Sequence, residues 1–388
     1  MIFHVRSVML KIRLSRSMKC KTLLVAITII LSFFHKMRTG NSMRLKKVYI
    51  LLFCIGLLNC ARERQWQEIK FPGICHMGNV VWGNNQFAVL GNDIDYSTSL
   101  LGGKKYYFFS SPDGVTWTKQ LLPAFFEGRL QWLNGQYFVV DHSDPGYLSI
   151  IKYSTDGINW LSINTSSIGS ITNLAWDNNK YYTTGWSNST STYQDAIYYS
   201  ADLVNWTQYI VKGEVKLFDI QYVNKLYFGN VYDSKNNNDI AVSNDGFTWK
   251  RVGLIHDNTH TYDFIYADDQ YIAFGSSDIF VSKDGTSWTL KALIGPALRS
   301  MAHGNNDYVA VLDGSGSSLE IWSSLDLSFW RQYEYDKPLG FFDQIVSNTN
   351  TTSVRLLTSV AHNGSRYVIS GYIDDVRSER SGIILTSP

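Results

Sequence analysis

One heptapeptide constrains this chain more than any bulk property. It recurs as Ser111-Pro-Asp-Gly-Val-Thr-Trp117, Ser154-Thr-Asp-Gly-Ile-Asn-Trp160, Ser200-Ala-Asp-Leu-Val-Asn-Trp206, Ser243-Asn-Asp-Gly-Phe-Thr-Trp249, Ser282-Lys-Asp-Gly-Thr-Ser-Trp288 and Ser324-Leu-Asp-Leu-Ser-Phe-Trp330. Successive Trp residues lie 43, 46, 43, 39 and 42 positions apart, which is the period of a four-stranded propeller blade. A second element sits between the heptapeptides. In it an aromatic residue or His leads an aromatic by five positions: Trp82 and Phe87, Trp132 and Tyr137, Trp176 and Tyr181, Tyr222 and Tyr227, Tyr266 and Tyr271, His303 and Tyr308, His362 and Tyr367. The residues enclosed are rich in Asn, Gly and Asp, which tolerate the left-handed backbone of a tight hairpin turn. Each unit therefore reads as strand A, tight turn, strand B, variable loop, strand C ending at the Ser, a turn at the Asp, and strand D after the Trp.

There are seven such hairpins but only six complete heptapeptides, and the chain ends at Ser387 and Pro388, where a seventh would begin. The missing strand D is supplied from the other terminus, because Trp66-Gln-Glu-Ile-Lys-Phe71 matches the segment after each repeat Trp. The expected fold is an all-β, seven-bladed propeller of four-stranded antiparallel blades over residues 66–388, closed by the N-terminal strand pairing with the C-terminal blade. Closure removes the sheet edge that would otherwise stay open.

The formal net charge of +2 conceals a division. Residues 1–60 carry 11 Lys and Arg and no Asp or Glu, whereas the rest has 24 basic against 33 acidic residues, a net −9. An acidic body is a poor partner for a phosphate backbone, so no nucleic acid is expected. A content of 45% hydrophobic and 14% aromatic residues excludes disorder. In the leader, residues 22–34 and 48–58 are apolar but short for a spanning helix and are flanked by Lys and Arg, as in signal-peptide cores. Met43-Arg-Leu-Lys-Lys followed by the apolar run and Leu57-Leu58-Asn59-Cys60 resembles a bacterial lipoprotein signal, with Asn59 in place of the usual small residue. That resemblance implies a signal over 1–59, with Met43 an alternative start, acylation of Cys60, and a tether over 60–65. It implies a location in the bacterial cell envelope, lipid-anchored to the membrane outside the cytoplasm, at the outer membrane or surface. The alternatives are an uncleaved anchor and a chance Cys after an apolar run. One Cys remains in the body, Cys75; it can form no internal disulfide, and a buried core position is expected for it.

The heptapeptides resemble the Asp box, or BNR repeat, of sialidase-like propellers, in the variant where Gly directly follows Asp. The resemblance spans residues 66–388 and implies that the box is a structural hairpin on the face away from the ligand site. Asp113, Asp156, Asp202, Asp245, Asp284 and Asp326 are then fold-determining and not catalytic.

With alternating strand directions, the B-C and D-A loops share one face and both tight turns lie on the other; variable loops on a rigid scaffold are where function concentrates. Three residues before each strand A marker stand Asn79, Arg129, Asn173, Asp219, Asp263, Ser300 and Ser359, all polar, each followed by an apolar residue. This ring marks the mouth of the axis. It reads either as a pocket for a protein or glycan ligand or as the ordinary polarity of strand starts. A sialidase-like glycoside hydrolase would need an Arg cluster, a Tyr paired with Glu, and an acidic proton donor. Arg129 and Arg299 are candidates for the first, while the close Tyr333, Glu334 and Tyr335 grouping falls in a loop. His256 and His260 read as loop residues, and no metal or cofactor is expected, since phosphate-loop, His-Glu-x-x-His, Cys-x-x-Cys and Gly-x-Ser-x-Gly motifs are absent. The expectation is a monomeric, non-catalytic binding module; the alternatives are a sialidase-like hydrolase and an assembly factor for a membrane complex.

Overall fold

The computed structural model describes residues 65–93, 104–123, 126–141, 149–165, 168–186, 195–211, 215–231, 239–253, 262–275, 277–295, 297–304, 306–312, 320–333, 354–374 and 381–387. The leader with Cys60, most of the variable loops, His256, His260, Glu334 and Tyr335 lie outside them.

The repeat becomes seven antiparallel blades. Blade 1 holds strands His76–Gly83, Gln86–Asp93, Lys105–Ser111 and Thr118–Leu121 as A to D. Blades 2 and 3 have strand A at Leu130–Leu133 and at Ser170–Ile171 with Ala175–Trp176, the latter two pieces pairing with one strand B, Tyr181–Trp186. In blades 4, 5 and 6 strand A is Gln221–Val223, Asp263–Ala267 and Leu298–Gly304. Blade 7 combines Val354–His362, Tyr367–Asp374 and Ser381–Ser387 with the N-terminal Gln67–Pro72. That last strand pairs antiparallel with Ser381–Ser387 from Gln67 opposite Thr386 to Pro72 opposite Ser381, so the ring closes as expected.

The core lies between blades rather than within them. Among the described residues the buried apolar side chains form seven clusters, one at each boundary between neighbouring blades. Ala88, Leu90 and Phe108 of blade 1, for example, meet Leu130, Tyr137 and Val139 of blade 2. Each blade is a thin twisted sheet that buries its two faces only against its neighbours, so no blade has an independent core.

The paired aromatics explain the tight-turn face. Within every blade the first ring packs on the second at 4.3–4.9 Å between centroids, with His303 and His362 replacing the aromatic in blades 6 and 7. The second residue then reaches back to the A-B turn of the preceding blade. Tyr137 donates to the Gly83 carbonyl at 2.8 Å, Tyr271 to the Asn224 carbonyl at 2.8 Å, Tyr308 to Asp268 Oδ2 at 2.6 Å and Tyr367 to the Gly304 carbonyl at 2.7 Å. Tyr227 donates to Asp177, and Tyr181 accepts from Asn134. Blade 1 has Phe87 here and makes no such bond. The turns themselves hold Asn84, Asn134, Asn178, Asn224, Asp268 and Asn306 at positive φ, which is why those residue types recur.

Each heptapeptide folds as a self-contained turn. In blade 3, Ser200 Oγ donates to Asp202, the Leu203 N–H donates to Ser200 Oγ, and Val204 and Asn205 N–H both donate to Asp202 Oδ1. The Asn205 amide caps the second carboxylate oxygen, and Trp206 Nε1 donates to the Leu203 carbonyl. The backbone N–H of Thr116 and then that of Val115 hold Asp113 down at about 2. Asp156, Asp202 and Asp284 are lowered in the same way, mainly by the N–H of Asn159, Asn205 and Ser287. The repeat Trp residues are half-buried, so each closes its own turn as well as anchoring a strand. Cys75 is likewise only half-buried, a departure from the core position expected of it, because Ile74 and Met77 on either side take the inward positions.

The fourth box position needs positive φ: Gly in four copies, but Leu203 and Leu327 at φ 67° and 65° in the others. Both leucines are buried in the seam with the preceding blade, whereas beside Gly157 that space holds Phe108, 2.2 Å from where a Cβ would stand. Gly135 has a similar φ of +73° but open space around it. Gly135→Ala is therefore expected to cost the backbone strain alone, about 1–2 kcal/mol. Gly157→Ala adds roughly 1–3 kcal/mol of overpacking. Denaturant melts of the two variants check this, and equal losses would mean that the seam can yield.

Candidate functional site

The ring at the axis divides into two kinds of residue. Four of the seven bond to the backbone of the next blade, at or beside the apolar residue that follows its own ring position. Asn79 donates to the Leu130 carbonyl at 2.8 Å and accepts from the Leu130 N–H at 2.9 Å. Asn173 donates to the Ile220 carbonyl at 3.1 Å; Ser300 accepts from the Val360 N–H at 3.2 Å, and Ser359 from the Val80 N–H at 2.7 Å. Bulges in strand A of blades 1, 6 and 7 fall at this point and turn these side chains sideways. In blades 2 and 4 the same task moves two residues along. Gln131 bonds both the N–H and the carbonyl of Leu174, and Gln221 bonds the Phe264 N–H and the Tyr262 carbonyl.

That displacement leaves Arg129 and Asp219 free of the linking task, and they gather with Asp263 in one charged group. Blades 2 and 5 face each other across the axis, and the Arg129 guanidinium spans it, donating to both oxygens of Asp263 at 3.2 and 3.1 Å. Such two-pronged pairs fix geometry as well as charge. The Arg129 side chain keeps 62% of its surface open, so it is crowded by the walls of the axis yet wet. Asp263 raises the affinity of Arg129 for its proton. Asp219 accepts from Asn230 Nδ2 at 2.9 Å, and the Gln221 amide lies between it and Asp263 at 3.3 and 3.2 Å. Burial pushes the Asp219 carboxyl up to about 6, and the negative charge of Asp263 adds to this against the Asn230 bonds.

Beside this group, on the loop face between blades 1 and 2, lies a pocket of about 350 Å³ lined by His76, Asn92, Lys104, Phe126, Glu127 and three glycines, 78, 91 and 128. Gly128, in the pocket lining, directly precedes Arg129 in the chain. Glu127 Oε1 accepts from Lys104 Nζ at 2.6 Å and from the Tyr106 hydroxyl at 3.0 Å. Burial raises the Tyr106 pKa and the bond to Glu127 raises it further, so the phenol keeps its proton. His76 packs against Tyr372 at 4.8 Å; burial lowers its pKa, with Glu127 opposing and Lys104 assisting. Below the pocket floor the buried Lys152 and Asp141 pair, and the Lys152 ammonium stands 4.5 Å from the centre of the Phe126 ring.

His76, Lys104, Tyr106 and Glu127 are not among the ring residues read from the sequence. The loops that supply Lys104 and Glu127 were legible as variable loops of the ligand face. Their meeting across a blade boundary depends on distance in space and left no mark in spacing. Arg299 is exposed at the start of strand A in blade 6 and does not line this pocket. Among the described residues, no group of three His, Cys, Asp or Glu is placed to hold a metal ion.

No protein-family model matches the chain, and no curated protein matches it. Solved structures do. A puromycin hydrolase is 9% identical over 79% of this chain and 51% of its own, with a TM-score of 0.50. A mutant of such a hydrolase complexed with PGG gives 9%, 79%, 53% and 0.51. A Trypanosoma rangeli sialidase in complex with sialic acid matches at 9% identity over 83% and 58%, with a TM-score of 0.40. The chain thus spans between 51% and 58% of the length of these structures, and the likeness to the two hydrolase structures speaks to the propeller fold alone.

A raised carboxyl binds its proton more tightly in the folded than in the unfolded protein. Its contribution to stability is therefore complete below about pH 4 and lost as pH rises through about 6. Asp219→Asn is expected to raise the melting temperature relative to the parent at pH 7.5 and to leave it nearly unchanged at pH 4. Melts at the two pH values check this; no difference between them would mean that water solvates the carboxylate fully.

Proposed function

We propose that this chain is a cell-envelope lipoprotein whose propeller is a non-catalytic module that binds a protein or glycan on the loop face. The observation that carries the reading is the contrast between the two faces. On the tight-turn face, tyrosine hydroxyls and box carboxylates are spent on turn and seam bonds. On the loop face, Arg129, Asp219 and Asp263 are charged or titratable groups gathered at the axis, where Arg129 pairs with Asp263 of the facing blade and takes no part in the backbone bonding between neighbouring blades. Arg129 directly follows Gly128, part of the lining of a pocket holding Lys104 and Glu127. Charged groups converging on a concavity over a rigid scaffold are what recognition of a polar ligand requires. The likeness of the six turns to the Asp box supports a place among sialidase-like propellers, where the box faces away from the ligand. The run from Met43 to Cys60 supports export and acylation, with 61–65 as the tether.

Screening the full chain against glycan and peptide arrays tests the binding role. For a ligand found there, Lys104→Ala and Arg129→Ala are each expected to weaken binding about tenfold or more, since a charge-assisted bond contributes about 1.5–3 kcal/mol. Retained affinity in both variants would move the ligand off this site. A second reading, a sialidase-like hydrolase, draws on one specific contact, the Tyr106 hydroxyl on Glu127. It lacks support from an arginine cluster, because the pocket lining contains no arginine and its cation is Lys104. Turnover of a fluorogenic sialoside that disappears in Tyr106→Phe would favour this second reading.

A further inference from the structure

We infer that the box turn of blade 6 is a lipid-contacting corner of the propeller, with Phe329 and Leu325 entering the interface of the membrane that holds the N-terminus. This rests on the envelope reading above for the presence of a membrane, and on independent geometry for the corner.

The geometry begins with a residue that breaks the local rule. At the sixth box position Thr116, Asn159, Asn205, Thr248 and Ser287 each turn a side chain onto the second carboxylate oxygen of the box Asp, at 2.7–3.2 Å. Blade 6 has Phe329 there, which can make no such bond. The same turn is looser at its other contacts. Ser324 Oγ lies 3.4 Å from Asp326 where the other boxes have 2.9 or 3.0 Å, and the Phe329 N–H is at 3.2 Å where theirs are at 2.7 or 2.8 Å. The ring gains no burial in exchange, since Phe329 is 84% exposed and Leu325, in the same turn, 59%. A residue that forfeits a bond and buries nothing within the fold is accounted for by something outside it.

The path of the chain says what that something is. Strand D runs from the tight-turn face toward the loop face, and Gln67–Pro72 is the strand D of blade 7, so the chain enters the propeller on the face that carries the box turns. Trp66, at that entry, packs against Tyr333 of blade 6 with ring centroids 6.5 Å apart. Tyr333 is four residues beyond Phe329, at most about 13 Å at 3.3 Å per residue. Between Cys60 and Gln65 the chain reaches at most about 18 Å. A membrane anchored at Cys60 would stand within about 18 Å of Gln65, on the side of the propeller that carries the box turns and not on the side of the pocket. The box turns of blades 2 and 3 also expose apolar side chains, Ile158 at 56% and Val204 at 66%, but both keep the side-chain cap on the box Asp, so blade 6 alone of the six boxes gives up a turn bond. Two apolar side chains beside a tether match the shallow insertion of interfacial anchors.

The test uses the full chain in bacterial membranes, with a photoreactive benzophenone amino acid placed in turn at 329, 325, 287 and 104, and mass spectrometry of the adducts. Phospholipid adducts at 329 and 325 are expected at least tenfold above those at 287, the corresponding position of the blade 5 box, and at 104 on the loop face. Phe329→Thr with the probe at 325 is expected to cut the lipid adducts several-fold while raising the melting temperature, since it restores the missing cap. Equal lipid labelling at all four sites would overturn the inference, as would adducts at 329 to a second copy of the chain or to another protein. The mature N-terminus, read from the same sample, separates the two ideas. An acylated Cys60 without lipid adducts at 329 sinks the corner and spares the envelope reading. Lipid adducts at 329 on a chain not acylated at Cys60 do the reverse.

Discussion

The inner strand of each blade sets the problem that the rest of the structure solves. Strand A pairs with strand B along one edge only, and its other edge faces the axis and the neighbouring blade with backbone groups that have no ladder partner. Such groups are costly to leave unbonded in a crowded interior. At six of the seven inner strands the solution is a side chain from the preceding blade: Asn79, for example, satisfies both backbone groups of Leu130, and Gln131 both of Leu174. These bonds seal the axis end of the seams, tyrosines seal the turn end, and the apolar clusters fill the space between. The N-terminal strand in blade 7 then makes the ring continuous.

The charged group at the axis follows from how that task is distributed. Where ring positions are Asn or Ser, the side chain is short and reaches the next backbone directly. Where they are Arg129 and Asp219, the longer Gln131 and Gln221 take over from two residues along the strand, on the same side of the pleat. The structure thereby spares a cation and a carboxyl for the mouth of the axis, and Asp263 completes the group by pairing with Arg129 from across it. Displacement of a structural bond along a strand is what separates the candidate site from the scaffold.

The fold was legible because its repeat is chemical. Ser, Asp, Gly and Trp each have a fixed part in the box turn, the paired aromatics stack, and Trp66 at one end with Ser387 at the other announced a split seventh copy. The site was legible only as a location. Polar residues at seven equivalent positions gave the ring, but sequence could not say that Asn173 and Ser359 would turn to a neighbour's backbone while Arg129 would reach across to Asp263. Those outcomes depend on side-chain length against a distance set by ring closure. The pocket was harder still, since Lys104 and Glu127 meet across a blade boundary, and the loops supplying them have no repeat to read. Phe329 stood in plain view at a position otherwise held by Thr, Asn or Ser. Its exposure and the cap it forgoes became visible only with the turn in three dimensions.

Native-state amide exchange tests this account most directly. If side chains from the preceding blade hold the inner strands, the amides of Val80, Leu130, Leu174, Phe264 and Val360 will exchange only through global unfolding, as slowly as amides in the middle of strand B. Rapid exchange at these five positions, with strand B still protected, would show an inner edge open to water and would contradict it.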